Sequence, residues 1–163
     1  MLSLEFRSVS GTINLSMEGR HKKVQIVVAA RTPSGEWSCL ILKRNKEGGG
    51  IWQNVTGSVD ENETFEDGAL RETQEETALQ LESIIDIHEI GLVYKFLDRW
   101  KRKVEERTFL IMSDQQWKPT LDPKEHSDWK WVGLNDVTSN MLEWPSNTET
   151  LLKAVQILRR MAA

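Results

Sequence analysis

Apolar residues occur along the chain in short runs, separated by glycine, proline and polar residues. The run VQIVVAA (24–30) is rich in β-branched residues and predicts a buried strand. The run SCLILK (38–43) predicts its hairpin partner, because TPSGEW between them supplies proline and glycine for a turn. Further extended segments are predicted at 51–56, 103–112 and 129–132, and at 84–97.

Two segments follow the helical period instead. From Thr64 the chain can cap a helix, whose packing face would hold Phe65, Ala69, Leu70, Thr73 and Thr77. A C-terminal helix is predicted to begin with Ser146 or Asn147 as its cap, with an apolar stripe formed by Leu151, Leu152, Val155 and Leu158. Mixed strands and helices predict an α/β or α+β arrangement of layers around a sheet.

A chain of 163 residues fits one domain with one core. We assign residues 21–163 to that domain. Residues 1–20 are interpreted as an N-terminal arm or short strand, available for pairing in a homodimer.

Charge and cysteine content limit the partners and the compartment. The net charge of -4 gives no general attraction to nucleic acid or an anionic membrane, so neither is expected as a partner. No run approaches the ~20 apolar residues that a membrane span needs. Cys39 is the only cysteine, so an intramolecular disulfide is excluded and a reducing, cytoplasmic location is expected. Cys39 itself is expected to be a small buried residue.

The segment GSVDENETFEDGALRETQEETAL (57–79) concentrates eight acidic residues against one base, Arg71. Glu72, Glu75 and Glu76 share one helix face, where like charges repel. Mg²⁺ would remove that repulsion, since it binds oxygen ligands and usually keeps waters and substrate phosphates. Arg71 can also pair with Glu75 four residues on. Spacing alone leaves two interpretations: a solvated charged helix, or a site that presents a metal to a phosphorylated ligand.

The order of residues in this segment resembles the Nudix box, G-x5-E-x7-R-E-U-x-E-E-x-G-U, in which U is a bulky aliphatic residue. The positions in register are Gly57, Glu63, Arg71, Glu72, Glu75, Glu76 and Leu79. Thr73 stands where an aliphatic residue is usual, and Ala78 stands where glycine is usual. The resemblance implies an α/β/α sandwich with a mixed central sheet and a catalytic loop–helix–loop. It also implies a hydrolase of nucleoside diphosphates linked to another group, dependent on Mg²⁺ or Mn²⁺.

The resemblance also implies roles for individual residues. The implied metal ligands are Glu72, Glu75, Glu76, Gly57 and, from a later loop, Glu125. Arg71 would orient the glutamates together with Glu63. In the implied reaction water attacks phosphorus, and either Glu75 or Glu125 takes the proton of the water.

Flanking segments are similar to the dihydroneopterin triphosphate pyrophosphatase-like members of the family. The similar segments are WQNVTGSVDENET, EHSDWKWV and WPSN. This likeness implies a nucleoside or pterin triphosphate as the substrate, cleaved to a monophosphate and diphosphate. Its implied contacts are Arg44 and Thr56, with Trp52, Tyr94 and Phe96 as candidate walls of the pocket.

Other activities stay open at this point. The family alternatives are a dinucleoside tetraphosphate hydrolase, a nucleotide-sugar or ADP-ribose hydrolase, and an RNA 5′-pyrophosphohydrolase. From a different class, the chain could be a non-catalytic nucleotide-binding module, which the intact box glutamates argue against.

Overall fold

The computed structural model describes residues 20–162. Its strands are β1 His21–Arg31, β2 Trp37–Arg44, β3 Trp52–Gln53, β4 Val55–Ser58, β5 Ile84–Leu97, β6 Lys103–Ser113 and β7 His126–Gly133. Its helices are α1 Phe65–Thr77 and α2 Pro145–Ala162, and single 3-10 turns occupy Leu81–Ser83 and Leu134–Asp136. Except for Arg20, the predicted arm 1–20 lies outside the described residues, as does any dimer contact through it.

The seven strands found in residues 20–162 belong to one sheet. The main order is β3-β2-β1-β6-β5, while β4 also pairs with β1 and β7 with β2. The β1–β6 pairing is parallel and every other pairing is antiparallel. The predicted mixed sheet is therefore confirmed.

The two faces of the sheet carry separate cores because side chains alternate along each strand. On β1, Val24, Ile26 and Val28 face one cluster, which includes Ala69 of α1. Val27 and Ala29 face the other, which is completed by α2 residues such as Leu151, Ala154 and Leu158. One helix thus covers each face, as the predicted sandwich requires. Cys39 is fully buried in the α2-side cluster, as expected, and burial raises the pKa of its thiol to about 12.

Several chain segments meet at one end of the sheet. The antiparallel register brings Arg44, at the end of β2, opposite His126, at the start of β7. It also brings Ser58, at the end of β4, opposite Lys23 near the start of β1. The loop that follows β4 leads directly into α1, so the acidic helix begins at this same end.

Two predicted strand boundaries were wrong. The segment 51–56 is divided at Asn54. The backbone N–H of Asn54 donates to Asn147 Oδ1 at 2.9 Å, and its side-chain amide donates to Gln25 Oε1 at 2.8 Å. These bonds replace ladder pairing at that residue. Strand β7 begins at His126, earlier than the predicted Trp129, because pairing with β2 extends that far.

The start of α2 also differs from the prediction. The helix begins at Pro145, whose ring favours the first helical position, so Ser146 and Asn147 lie in the first turn and do not cap it. Leu151, Val155 and Leu158 are buried as predicted, but Leu152 is 42% exposed. Neither helix has the length and apolar content needed to cross a membrane, within residues 20–162.

Candidate active site

Local contacts at the start of α1 fix the acidic helix on the sheet. Thr64 caps the helix as predicted, since its Oγ1 accepts from the Asp67 N–H at 3.0 Å. Gly68 lies where a Cβ would be 3.0 Å from Glu63 Oε1 and 3.1 Å from Val59 Cγ2. A glycine inside a helix costs roughly 1 kcal/mol relative to alanine. Here it allows the helix to approach the preceding loop closely.

The helix ends at Ala78 in a left-handed conformation, with φ 60° and ψ 29°. Its N–H donates to Gln74 O at 2.9 Å, so the turn forms although glycine is absent. Leu79, which follows, is 2% exposed and packs in the α1-side core. Alanine at position 78, in place of the usual glycine, therefore still forms the turn, but with a strained backbone.

Arg71 binds the carboxylates at the N-terminal part of the acidic face. Its Nε and Nη2 donate to the two oxygens of Glu63 at 2.8 and 2.9 Å, and Nη2 also donates to Ser58 O at 2.8 Å. Its Nη1 lies 3.1 Å from Glu72 Oε1 and 3.2 Å from both Glu75 oxygens. The predicted contacts of Arg71 with Glu63 and Glu75 are therefore present. The hydrogen bond from Arg71 holds the pKa of Glu63 below its usual range.

Glu72 lies against Gly57 of β4. A Cβ at position 57 would be 2.0 Å from Glu72 Cδ, so only glycine leaves room for this carboxylate. Burial raises the pKa of Glu72, and its contact with Arg71 opposes that effect. The structure thus gives Gly57 a steric role beside its predicted backbone contact with metal or phosphate.

Glu76 points to a different set of partners. It is 7% exposed, and its Oε2 lies 2.9 Å from Nδ1 of His126, which is 4% exposed. The contact is short but poorly aligned, and neither atom has a hydrogen-bond partner among residues 20–162. Glu125 joins them, so that one potential ligand atom from each of the three residues lies within 4.8 Å of the others.

Glu76 and Glu125 influence each other's pKa. The hydrogen bond to Glu76, and then burial, raise the pKa of Glu125 to about 7. Burial would raise the pKa of Glu76 as well, but its contacts with His126 and Glu125 and the charge of Arg44 hold it below the usual value. Two close carboxylates therefore retain a proton when no cation is bound. Their oxygens fit a divalent cation, since Glu76 Oε2 is buried and lacks a hydrogen-bond partner within residues 20–162.

Arg44 lies at the same end of the sheet, held by a glycine-rich loop. A Cβ at Gly48 would be 2.4 Å from Arg44 Nε, so the loop packs directly on the guanidinium. Asn45 joins this loop to the one that carries Glu125: its N–H donates to Glu125 O at 3.0 Å and its side chain to Lys124 O at 2.6 Å. The structure thereby brings Arg44 and Glu125 together with Glu76. The positive charge of Arg44 acts to lower the pKa of both carboxyls.

The contacts described for the other predicted substrate residues are with the sheet and the α2-side core. Thr56 pairs with Gln25 on β1. Trp52 is half-buried beside the α2-side core, with Lys130 Nζ 5.2 Å from its ring centroid.

Tyr94 and Phe96 are buried on β5, at 7% and 4% exposure. Tyr94 donates its hydroxyl hydrogen to Glu149 of α2, and Phe96 packs with Val104. The structure does not place these two rings against the box helix.

Sequence reasoning missed the contacts made by His126, Gln53 and Asn45. The Gln53 amide lies 3.5 Å from His126 Nε2, and Asn45 links two loops that are about 80 residues apart in sequence. The one available signal was the position of His126 directly after Glu125.

Solved structures share this fold. The structure superposes on a Caenorhabditis elegans Ap4A hydrolase binary complex with a TM-score of 0.71 and 23% identity, covering 86% of this chain and 98% of that one. It superposes on the Escherichia coli dihydroneopterin triphosphate pyrophosphohydrolase with a TM-score of 0.66 and 22% identity, covering 85% and 95%. At these identities the likeness establishes the fold alone.

Three curated proteins are similar in sequence. Isopentenyl-diphosphate Delta-isomerase 2 of Aromatoleum aromaticum is 29% identical over 126 residues, covering 72% of this chain and 63% of that protein. RNA pyrophosphohydrolase of Pelagibacter ubique is 28% identical over 117 residues, covering 64% and 73%. Dihydroneopterin triphosphate diphosphatase of Haemophilus influenzae is 25% identical over 132 residues, covering 74% and 81%.

The family model described as the NUDIX domain matches residues 20–154. That span contains all the described strands, the acidic helix and the residues grouped around Glu76. The box spacing, the sandwich fold and the match over most of the chain agree, and the chain belongs to the NUDIX domain family.

Proposed function

We propose that this protein is a Mg²⁺-dependent pyrophosphohydrolase that cleaves a (deoxy)nucleoside or pterin triphosphate to a monophosphate and diphosphate. One observation carries the proposal: at the end of the sheet, the buried carboxylate of Glu76 lies with Glu125 in a group able to hold a cation, and the charge of Arg44 acts on both. Carboxylates that hold a cation beside an arginine suit a polyphosphate, which needs both charges.

In this proposal Glu72, Glu76 and Glu125 hold the metal, and Mn²⁺ can replace Mg²⁺. When bound, such an ion neutralises charge on phosphate oxygens and lowers the pKa of a bound water. Arg71 keeps the carboxylates in place, because its bidentate bond to Glu63 fixes the guanidinium in one orientation.

Two carboxylates are candidates for taking the proton of the attacking water. Glu75 is exposed, and both its oxygens lie 3.2 Å from Arg71 Nη1. Glu125 has a pKa raised to about 7 in the metal-free protein, so it can accept a proton near neutral pH. The variants Glu75→Gln and Glu125→Gln separate them, because loss of the base removes the acidic limb of the profile of kcat against pH.

The choice of a triphosphate rests on sequence likeness. The segments around Trp52, Thr56 and Glu125 resemble the pterin triphosphate enzymes, and a relative with that name is 25% identical over 132 residues. Arg44 would bind phosphate oxygens through its planar fork of donors. Thr56 and Trp52 would then contact the rest of the substrate.

A Mg²⁺-dependent hydrolysis panel tests the proposal, with products identified by mass. The substrates are dihydroneopterin triphosphate, the (d)NTPs, diadenosine tetraphosphate, ADP-ribose, a nucleotide sugar, isopentenyl diphosphate and triphosphorylated RNA. Diphosphate and a monophosphate from a triphosphate, absent with Glu76→Gln, would support it. Turnover confined to another member of the panel would overturn the substrate class while retaining the metal chemistry. No turnover with Mg²⁺ or Mn²⁺ would leave a nucleotide-binding module as the better account.

A further inference from the structure

Two buried polar atoms face each other at the C-terminal part of the acidic face, Glu76 Oε2 and His126 Nδ1. They are 2.9 Å apart, and neither has a hydrogen-bond partner in the part of the chain that the structure describes. We propose that His126 is a direct nitrogen ligand of the metal, bound together with Glu76 and Glu125. The inference rests on the proposed function for the presence of a metal, and adds a ligand that the box glutamates do not supply.

The spacing of Glu76 and His126 matches adjacent ligands of one ion. In an octahedral site with metal–ligand distances of ~2.0–2.1 Å, neighbouring ligand atoms are ~3.0 Å apart and opposite ones ~4.2 Å apart. Glu76 Oε2 and His126 Nδ1 have the first separation, and the set that includes Glu125 stays within 4.8 Å. A 2.9 Å contact that lacks hydrogen-bond alignment is explained if both atoms point at a common third atom.

The surroundings of His126 fix its ring in this direction. The residue is 4% exposed. Its backbone N–H donates to Asp122 O at 2.9 Å, where β7 begins. Its other ring nitrogen, Nε2, lies 3.5 Å from the amide nitrogen Nε2 of Gln53. A half-turn of that amide, whose two ends have nearly the same shape, brings its oxygen to His126 Nε2; this nitrogen then carries the proton, and Nδ1 keeps the free lone pair that a metal requires. A polar partner at the far nitrogen is the usual support for a ligating histidine.

A nitrogen ligand would change which metals the protein prefers. Magnesium favours oxygen ligands, whereas imidazole suits later divalent metals such as Co²⁺ and Zn²⁺. His126 should therefore contribute strongly to Co²⁺ affinity and little to Mg²⁺ affinity. A histidine that merely supported Glu76 would affect both ions alike, because both bind that carboxylate.

Pulsed electron paramagnetic resonance of Mn²⁺ tests the ligand directly in the wild-type protein. One equivalent of Mn²⁺ is added to protein made with ordinary or with ¹⁵N-labelled histidine. We expect nitrogen modulation of the Mn²⁺ echo that changes from the ¹⁴N to the ¹⁵N pattern on labelling. Bound Mn²⁺ without this modulation would overturn the role of His126 and leave the metal site intact. Failure to bind Mn²⁺ would overturn the proposed function together with it.

Calorimetric affinities for Co²⁺ and Mg²⁺ give an independent test with the variant His126→Gln. We expect the Kd for Co²⁺ to rise roughly 100-fold, at the upper end of losses seen for residues that support a ligand, and the Kd for Mg²⁺ to rise less than about tenfold. The matched control is His88→Gln, an exposed histidine on β5, which should change neither Kd. Equal losses for the two ions would mean that His126 acts only on the position of Glu76. If the variant does not fold, the labelled wild-type spectrum still decides.

Discussion

The two ends of the acidic face of α1 are built in different ways. At the N-terminal end, Arg71 lies within 3.3 Å of carboxylate oxygens of Asp60, Glu63, Glu72 and Glu75. At the C-terminal end, Glu76 meets a second carboxylate and an imidazole, and its Oε2 has no hydrogen-bond partner among the described residues. The first end is balanced by the protein itself, whereas the proposed function has a cation complete the second.

This difference follows from the free energy that it takes to bury the carboxylates at each end. Charge-assisted bidentate bonds stabilise a carboxylate even when it is partly buried. A buried carboxylate beside another one lacks that support, so it binds a proton or a cation. The Arg71 end can therefore hold its geometry before any metal arrives, and the Glu76 end is the part that should respond to metal.

The largest effect is expected from removing a charge that would hold the metal. Glu76→Gln and Glu72→Gln should lower kcat by about 10³-fold, since a bound metal supplies several kcal/mol of transition-state stabilisation. The fold should persist, because each change keeps the shape of the side chain. Steady-state rates and circular dichroism measure both. Thermal melts sharpen the comparison: Mg²⁺ should raise the Tm of the wild type and not that of Glu76→Gln. Activity near the wild-type value, or an unfolded variant, would defeat the assignment of that residue as a ligand.

A methyl group at Gly57 should displace the proposed metal ligand Glu72 without removing any charge. In Gly57→Ala the new Cβ would be 2.0 Å from Glu72 Cδ, so the carboxylate must move. A displacement of ~1 Å can cost about 100-fold in rate, so kcat should fall by that order. Gly133→Ala is the matched control, because its nearest atom, Asp136 Oδ2, is 3.3 Å away. A variant with wild-type kcat would show that Glu72 need not occupy this position.

Metal binding at the Glu76 end should become weaker in acid. The pKa of Glu125 is raised to about 7, so the metal-free protein holds a proton there at pH 6 and has lost it at pH 8. Metal must displace that proton, and the affinity should fall about tenfold for each pH unit below 7. The same raised pKa stabilises the metal-free fold below the ordinary pKa of glutamate, and this contribution is lost as pH rises through about 7.

Calorimetry in buffers of different ionisation enthalpy counts the protons released. About one proton per metal is expected at pH 6, almost none at pH 8, and none at either pH in Glu125→Gln. Equal release at both pH values would contradict the pairing of Glu125 with Glu76.

Weakening the contacts of Arg71 should lower the stability of the fold more than it lowers metal affinity. Arg71→Lys keeps the charge but loses the planar fork that binds both oxygens of Glu63. We expect the free energy of unfolding to fall by about 1–3 kcal/mol, the usual value for hydrogen bonds to charged groups, with a smaller loss of metal affinity than in Glu76→Gln. Urea denaturation measures the first quantity. Arg160→Lys, at the exposed end of α2, should leave it unchanged. A larger loss of metal affinity than of stability would make Arg71 part of the metal site.

What the sequence could predict differs between the two ends for the same reason. The contacts of Arg71 with Glu63 and Glu75 lie within one loop and helix, so helical spacing and the motif predict them. The contact of Glu76 with His126 joins residues 50 positions apart, and depends on the register of β2 with β7. A single sequence does not contain that register, and the early start of β7 at His126 was missed with it.

The smallest effect concerns the end of α1, where the sequence departs from the family pattern. Ala78 has φ 60°, a conformation that costs an L-residue about 1–2 kcal/mol and costs glycine almost nothing. Ala78→Gly should therefore raise the free energy of unfolding, by at most about 1 kcal/mol, because glycine also gives the unfolded chain more freedom. Lys101→Gly, at φ 60° in the turn between β5 and β6, should give a similar gain far from the helix. Activity and metal affinity should not change in either variant. If only Ala78→Gly altered the metal affinity, the strain at Ala78 would be coupled to the position of Glu76, and the end of α1 would belong to the metal-responsive part of the molecule.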